Sequence, residues 1–350
     1  MIALLMAAGI ALASSLVGTR FLIVGLRRRG IGQPIHEDVP DAHTKKAGTP
    51  TMGGIAIVVG TVLGYAVAHT RPGLAFTRSG ILLVALVVAA GVVGGLDDWI
   101  KVSQERNLGL SKAAKSIGLL SVAVAFAVAA VHLTPVHTTL SFTRFDSFAS
   151  LDMGPWLWCG WAVLLIVGCT NAVNLTDGLD GLAGGSAIFG FAAFTFIAFW
   201  AFRNAGQAGV LADYQIPHAL DLAVVAAALV GATTGFLWWN ATPARIFMGD
   251  TGALAIGGGL AGLALLLSTH LLLPIIGGLF VFETASVIVQ VASFRLFKRR
   301  LFRMAPIHHH YEIAGWPETT IIVRFWILAG LSTAIAVGLY LADYIHLTGQ

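Results

Sequence analysis

The stretch Asn171-Ala-Val-Asn-Leu-Thr-Asp-Gly-Leu-Asp-Gly181 places amides, carboxylates and glycines between two apolar runs. The run before it covers about residues 156–167, and the next one begins near Leu182. Polar side chains therefore meet water where one hydrophobic segment ends and another begins. Taken alone, the stretch is most simply a polar loop between two membrane helices, so its interpretation depends on the content of the other loops.

The composition is that of an integral membrane protein. Of the 350 residues, 57% are hydrophobic and 11% are charged, whereas soluble domains carry roughly 25% charged residues. Long runs rich in Gly, Ala, Leu and Val predict an all-α polytopic bundle, because small residues let helices approach closely. The loops are too short for a soluble domain, so residues 1–350 are predicted to form a single membrane-embedded domain.

Ten transmembrane helices are predicted from the apolar runs. They cover approximately residues 2–26, 55–68, 80–96, 116–132, 155–170, 182–202, 220–239, 253–268, 271–294 and 321–341. Residues 133–154, between the fourth and fifth spans, are rich in Thr, Ser and Phe and could hold a short hairpin. An even number of spans places both chain ends on one side of the membrane.

The distribution of Lys and Arg predicts the orientation of these spans. Fifteen lie in the loops that follow odd-numbered spans, namely Arg27, Arg28, Arg29, Lys45, Lys46, Lys101, Arg106, Lys112, Lys115, Arg245, Arg295, Lys298, Arg299, Arg300 and Arg303. The opposite loops hold four: Arg71, Arg78, Arg144 and Arg203. Because cytoplasmic loops are enriched in Lys and Arg, the odd loops are predicted to be cytoplasmic and both termini periplasmic. The same assignment accounts for the net charge of +4 without a nucleic-acid partner.

The acidic and His-rich segments all fall in these cytoplasmic loops. The acids are Asp97, Asp98, Asp177, Asp180 and Asp250. Adjacent carboxylates such as Asp97 and Asp98 repel each other and need a cation, either Mg²⁺ or Lys101. Simpler interpretations are solvated acids at a helix end and, for Asp250, a helix cap. Five carboxylates on one face favour Mg²⁺, which binds hard oxygen ligands and shares its remaining positions with water and phosphates.

Cationic groups accompany the acids. The run His308-His309-His310 lies in a loop with several arginines, and protonated His and Arg can bind phosphate, although a His-based metal site is also open. Lys46 precedes a Gly-rich segment, residues 48–54, that could offer backbone N–H groups to an anion, but its order differs from that of a P-loop. Metal ligands and phosphate ligands at a membrane boundary favour phosphoryl transfer to a phosphorylated lipid.

Glu283 is predicted to lie in mid-membrane within the ninth span. A carboxylate there is costly and is a functional candidate by default. A structural role, with Glu283 hydrogen-bonded to Gln290 or to a neighbouring helix, is favoured.

Several motifs together resemble a known family. The segments His43-Thr-Lys-Lys-Ala-Gly-Thr-Pro-Thr-Met-Gly-Gly54, Asp97-Asp98, Asn171 to Gly181 and Phe247-Met-Gly-Asp250 resemble those of the polyprenyl-phosphate N-acetylhexosamine-1-phosphate transferases. The segment Ala305-Pro-Ile-His-His-His-Tyr-Glu312, with Gly315-Trp-Pro-Glu318 and Val323-Arg-Phe-Trp326, resembles the phospho-N-acetylmuramoyl-pentapeptide-transferase branch in particular. The motifs occur in order from residue 43 to residue 326, so the resemblance covers nearly the whole chain.

The resemblance implies a reaction and a set of site residues. UDP-N-acetylmuramoyl-pentapeptide and undecaprenyl phosphate would give lipid I and UMP, with Mg²⁺, in the bacterial inner membrane. The implied catalytic residues are Asp97, Asp98, Asp250, His308 and His309, and the implied Mg²⁺ ligands are Asp250 and Asn174. The implied substrate-binding residues are Lys46, Asn171, Asp177, Gly178, Asp180, Asn240, Phe247, Lys101, Lys112, Lys115 and His310.

Individual roles are implied in the same way. Asp97 would deprotonate the lipid phosphate, and Phe247 would stack on the uracil base. His308 and His309 would neutralise phosphates. Direct attack by the lipid phosphate is favoured over a covalent aspartyl intermediate, because a phosphate with a second pKa of about 6 is already ionised at neutral pH.

Two other functions stay open at this point. A sibling enzyme would transfer N-acetylglucosamine-1-phosphate to the same lipid, but the His308 to Glu312 segment argues against it. A transporter or flippase would place charged residues along the bilayer midplane, where Glu283 alone is predicted. The sequence leaves the oligomeric state open, with a homodimer among the arrangements considered.

Overall fold

The structure is a computed structural model that describes residues 1–28, 48–104, 109–147, 151–204 and 214–348. The predicted substrate ligand Lys46 lies outside these ranges. The helices in the described ranges are α1 (Ile2–Arg28), α2 (Gly54–Ala68), α3 (Arg78–Ser103), α4 (Lys112–Leu133), α5 (Gly154–Thr176), α6 (Leu182–Arg203), α7 (Ala219–Asn240), α8 (Gly249–Leu266), α9 (Leu273–Ile276), α10 (Gly278–Phe297), α11 (Ile307–Ile313) and α12 (Glu318–Thr348).

The chain is a multi-pass membrane protein, and the all-α prediction is confirmed. Within the described ranges, nine helices are long and apolar enough to cross a membrane, and α2 is a shorter apolar helix of 15 residues. The full count of ten spans, the periplasmic position of the termini and the single domain over residues 1–350 stay predictions.

Helix α8 lies at the centre of the bundle and is almost entirely buried. It packs against α2, α3 and α5. The contacts are close because glycines occupy them: a Cβ added at Gly94 of α3 would lie 2.2 Å from Asp250 O, and one at Gly54 of α2 would lie 2.0 Å from Gly252 N. Small residues therefore bring the backbones of three helices together at the first turn of α8.

The polar ends of two helices continue further than hydropathy predicts. Helix α3 includes Asp97, Asp98 and Lys101, and α5 includes Asn171 and Asn174. Backbone hydrogen bonding does not depend on side-chain polarity, and these polar side chains can face protein rather than lipid. Several of the predicted loop residues are therefore helical.

The ninth span is divided, which differs from the continuous helix expected from hydropathy. Pro274 stands in the first turn of the short helix α9, and Gly277 separates α9 from α10. Pro lacks a backbone donor and Gly weakens helices, so this segment favours a break. The loop after α10 contains a further helix, α11.

The segment between α4 and α5 forms hairpin-like contacts, as the sequence indicated. Thr139 and Asp152 form an antiparallel bridge. Leu140 N donates to Leu151 O at 2.9 Å, and Met153 N donates to Thr138 O at 3.0 Å.

Candidate active site

Three aspartates from distant parts of the chain meet where α3 ends and α8 begins. Asp97 and Asp98 lie in the last two turns of α3, and Asp250 lies in the first turn of α8. One carboxylate oxygen of each lies within 4.8 Å of the others, and the residues are 3%, 2% and 6% exposed, respectively. The structure therefore brings together acids that the sequence predicted to converge.

Asp98 accepts hydrogen bonds from the first turn of α8. Its Oδ1 accepts from Asp250 N at 3.1 Å, and its Oδ2 accepts from Thr251 N at 2.9 Å and from Thr251 Oγ1 at 2.7 Å. The first N–H groups of a helix lack partners within the helix, and a carboxylate there also interacts favourably with the helix dipole. Asp98 thus fixes α8 against α3. The sequence analysis did not identify Thr251 as a site residue, although its position directly after Asp250 could have indicated it.

Two lysines neutralise the other two acids. Lys101 Nζ lies 2.6 Å from Asp97 Oδ2 and 2.6 Å from Asp250 Oδ2. Lys115 Nζ, from the first turn of α4, lies 2.9 Å from Asp250 Oδ1. Neighbouring carboxylates repel each other, and ammonium groups offset this repulsion. Lys101 therefore lies beside Asp97, as the sequence suggested, and the structure adds Lys115 to the cluster, whereas Lys112 is exposed at the start of α4. The substrate-binding roles of these lysines stay predictions.

The carboxylate cluster fits a hard divalent cation. Its donors are all oxygens, which Mg²⁺ prefers. The Lys101 ammonium already bridges Asp97 and Asp250, so the space between their oxygens accommodates a positive charge. Asn174, the predicted partner of Asp250, lies one helical turn after Thr170, which packs against Gly257 of α8. Asn174 therefore lies on the side of α5 that faces α8.

The loop between α5 and α6 is tied to two other segments through Asp180. Asp180 is buried, its backbone N donates to Glu318 Oε1 at 3.1 Å, and its Oδ2 accepts from Ala244 N at 3.0 Å. Glu318 opens α12 and was noted in the sequence only as part of a motif. Asp180 thus connects this loop to the start of α12 and to the segment between α7 and α8.

Asp177 directly follows α5, and the nearby carboxylates affect the pKa of its side chain. Burial raises the pKa of its carboxyl well above the usual range, and the negative charges of Asp250, Asp98 and Asp180 raise it further. A raised pKa favours the protonated carboxyl, and a protonated carboxyl can donate a hydrogen bond, whereas an ionised one cannot. Its substrate-binding role stays a prediction.

Asn240 and Phe247 shape the segment between α7 and α8. Asn240 is buried, and its Nδ2 donates to Ile246 O at 3.0 Å. Phe247 N donates to Pro50 O at 2.8 Å, and Phe247 O accepts from Gly53 N at 2.9 Å. The Gly-rich segment that follows Lys46 is therefore docked on Phe247. Phe247 is half-buried, and its stacking on uracil stays a prediction.

Asn171 lies apart from these contacts. Its side chain is exposed, and its Nδ2 donates to Val167 O of the same helix at 2.7 Å. Position 171 is rotated about 100° from Thr170, the residue that faces α8. The structure thus shows Asn171 bonded to its own helix, and its substrate-binding role stays a prediction.

The three histidines of α11 have different partners. His308 is fully buried with its Nδ1 3.1 Å from Glu283 Oε2, and His309 Nδ1 lies 2.5 Å from Glu312 Oε2. His310 Nδ1 instead accepts from Arg303 N at 3.1 Å, so this atom holds the loop. The run therefore divides into one deeply buried histidine, one partly buried histidine and one that organises the preceding chain.

Gly178 joins the histidines to the loop after α5. A Cβ added at Gly178 would lie 2.3 Å from His308 Nε2, so no larger residue fits without displacement. This contact connects α11 to Asp177, which lies next to Gly178 and within the field of Asp250.

Gly178→Ala is expected to lower kcat/KM about tenfold, because overpacking a rigid contact shifts its neighbours. The matched control is Gly168→Ala in α5, where an added Cβ meets nothing within 4 Å. Both variants are to be assayed for turnover and thermal unfolding. Equal activities of the two variants would show that the Gly178 contact has no role.

Comparison with known proteins agrees with this arrangement. The model of glycosyl transferase family 4 matches residues 80–268, and the phospho-N-acetylmuramoyl-pentapeptide-transferase signature 1 matches residues 46–58. Similar proteins named phospho-N-acetylmuramoyl-pentapeptide-transferase include one from Frankia alni, 49% identical with 97% of this chain and 98% of the relative covered. Another, from Saccharopolyspora erythraea, is 49% identical with 99% of both chains covered. The chain belongs to the phospho-N-acetylmuramoyl-pentapeptide-transferase family.

Membership of this transferase family confirms the resemblance found in the sequence motifs, and it makes the chain an enzyme. The family 4 match includes Asp97, Asp98 and Asp250, and the signature begins at Lys46. The phospho-N-acetylmuramoyl-pentapeptide-transferase signature also favours this branch over its sibling enzymes.

Proposed function

We propose that this enzyme transfers phospho-N-acetylmuramoyl-pentapeptide from its UDP conjugate to undecaprenyl phosphate at the cytoplasmic face of the bacterial inner membrane. The products are lipid I and UMP. The observation that carries the proposal is the buried group of Asp97, Asp98 and Asp250, in which Lys101 and Lys115 pair with Asp97 and Asp250 at the ends of membrane helices. Diphosphate chemistry requires this combination of metal ligands and cations.

The residues of the cluster have different roles in stabilising the charge of the diphosphate. Asp250, with Asn174, would hold Mg²⁺, and the bound ion would neutralise the charge of the diphosphate. Lys101 and Lys115 supply further positive charge beside these carboxylates. Asp98 keeps Asp250 in place through its bonds to α8.

The lipid phosphate is the nucleophile in this proposal. One of its ionised oxygens forms a bond to the sugar-linked phosphorus, and the bond from that phosphorus to the UMP oxygen breaks. Asp97 accepts any proton that the lipid phosphate still carries. Phe247 and Asp177 bind the uridine end, with Lys46.

The surroundings of the cluster support a lipid substrate. Leu96 and Trp99 flank the two aspartates of α3, and each is 54% exposed. Tryptophan is enriched where membranes meet water, so the acids lie at a depth that a lipid phosphate reaches.

UMP release from purified enzyme tests the function. The enzyme is to be supplied with undecaprenyl phosphate and either UDP-N-acetylmuramoyl-pentapeptide or UDP-N-acetylglucosamine. Release from the first alone supports the proposal, and release from the second alone would establish the sibling activity. No release from either would favour a transport function. Excess chelator is expected to slow release, and Mg²⁺ is expected to restore it.

A further inference from the structure

Glu283 is a fully buried acid that the proposed reaction does not yet use. It lies in α10, a helix whose surface is largely exposed to the surroundings. A carboxylate buried in a membrane helix is costly unless it is neutral or paired. Its Oε2 lies 3.1 Å from His308 Nδ1, and both side chains are 0% exposed.

The chain after α10 folds back along this helix to form the pair. Glu283 precedes Phe297, the end of α10, by fourteen residues, which corresponds to about 21 Å of helix. Gln290 lies two turns after Glu283 and accepts from Leu301 N at 3.0 Å and from Phe302 N at 2.9 Å. Gln290 therefore fixes the segment that follows α10 against this helix. The side chain that contacts Glu283 is His308, not Gln290.

The other ring nitrogen of His308 faces the candidate active site. Among the described residues, neither ring nitrogen of His308 and neither carboxylate oxygen of Glu283 makes a hydrogen bond, so Nδ1 is held by the close contact with Glu283 alone. Nε2 lies against Gly178. A carboxylate beside Nδ1 fixes the orientation of the imidazole ring. The polar edge that remains, Nε2, is then directed at the turn that carries Asp177.

We propose that Glu283 is a positioning residue that holds His308 by its Nδ1 edge, so that Nε2 supports the Asp177–Gly178 turn beside the carboxylate cluster. This inference rests on the proposed function, because it assigns the pair a task at that same site. Glu283 acts on the reaction only through His308. Because this turn carries Asp177, which the proposed function places at the uridine end, the effect is expected mainly on KM for the UDP substrate, with kcat nearly unchanged.

A double-mutant cycle tests this dependence. Glu283→Gln keeps the shape but removes the carboxylate, and we expect KM for the UDP substrate to rise about tenfold with kcat changed by less than about threefold. In a His308→Gln background the same substitution is expected to raise KM by less than about twofold, because the residue through which it acts is already gone. Equal changes of KM in both backgrounds would overturn the proposal, as would a Glu283→Gln enzyme with normal KM.

The chain offers a matched control at the other end of the helices. Asp221 Oδ1 lies 3.0 Å from His69 Nε2, and this carboxylate–histidine pair is also buried. Asp221→Asn is expected to lower the apparent Tm while leaving kcat per folded molecule and KM for the UDP substrate unchanged. If it raises KM as Glu283→Gln does, loss of any buried pair is sufficient and the positioning role is wrong.

Failure of the proposed function gives a different result. A wild-type enzyme that releases no UMP from either nucleotide sugar refutes the reaction. The pair is then judged by thermal unfolding of Glu283→Gln, His308→Gln and the double variant. If the two residues act as a pair, the Tm losses of the two single variants should add up to more than the Tm loss of the double variant. A double-variant loss equal to that sum would show that the residues do not act as a pair.

Discussion

Replacing Asp250 with alanine is expected to lower the rate of UMP release by about two orders of magnitude or more. Asp250 contacts both Lys101 and Lys115 and belongs to the only triple carboxylate group in the described part of the chain. Its removal takes away a proposed metal ligand and leaves the two ammonium groups without their shared carboxylate. Charge that develops on the diphosphate is then poorly stabilised.

The isosteric variant Asp250→Asn separates charge from shape. It is expected to lose nearly as much activity as the alanine variant, with apparent Tm close to that of the wild type. Asp221→Asn is again the control, since it removes the charge of a buried carboxylate far from the cluster. An Asp250→Ala enzyme that folds and turns over at a near-normal rate would remove Asp250 from the metal site.

Replacing Asp98 with alanine is expected to damage both the fold and the reaction. The substitution leaves the backbone N–H groups of Asp250 and Thr251 without their acceptor at the buried start of α8. Loss of an N-terminal acceptor and burial of unsatisfied donors together cost about 2–4 kcal/mol. Because Asp250 itself lies in this turn, we also expect a loss of turnover of about a hundredfold.

Thr251→Val is the graded comparison for this prediction. It removes only the 2.7 Å bond from Thr251 Oγ1 and keeps the backbone donors paired with Asp98. A smaller cost of about 1 kcal/mol is expected. Thermal unfolding and UMP release should therefore rank the wild type first, Thr251→Val second and Asp98→Ala last. An Asp98→Ala protein with an unchanged Tm would contradict the anchoring role of this carboxylate.

Asp98 also shows where sequence reasoning reaches its limit. Its proximity to Asp250 was predicted from motifs on one side of the membrane, and the structure agrees. Its direct contact with the backbone of α8 was not predictable, because the bond joins positions 152 residues apart. Such a bond depends on the close approach of α3 and α8 at Gly94.

Glu283 gives a second example. The hydropathy pattern predicted that Glu283 lies in mid-membrane, where burying a carboxylate costs free energy, and it predicted no other charged residue at that depth. The structure pairs Glu283 with His308, which lies on the short helix α11. The hydrophobic pattern of the sequence did not predict this helix. The return of the chain along α10 depends on side-chain bonds from Gln290, and a hydropathy profile contains no information about them.

The sequence by itself determined that this chain is a helical membrane protein, since the bilayer admits only segments that satisfy their own backbone and bury few charges. It also determined the residue types of the site and its family, because these are local in the chain. Tertiary structure alone decided which carboxylates share a cation, which one anchors a helix and which histidine is buried beside an acid. These are contacts between side chains far apart in sequence, and they are fixed by the packing of helices rather than by any segment's own preference.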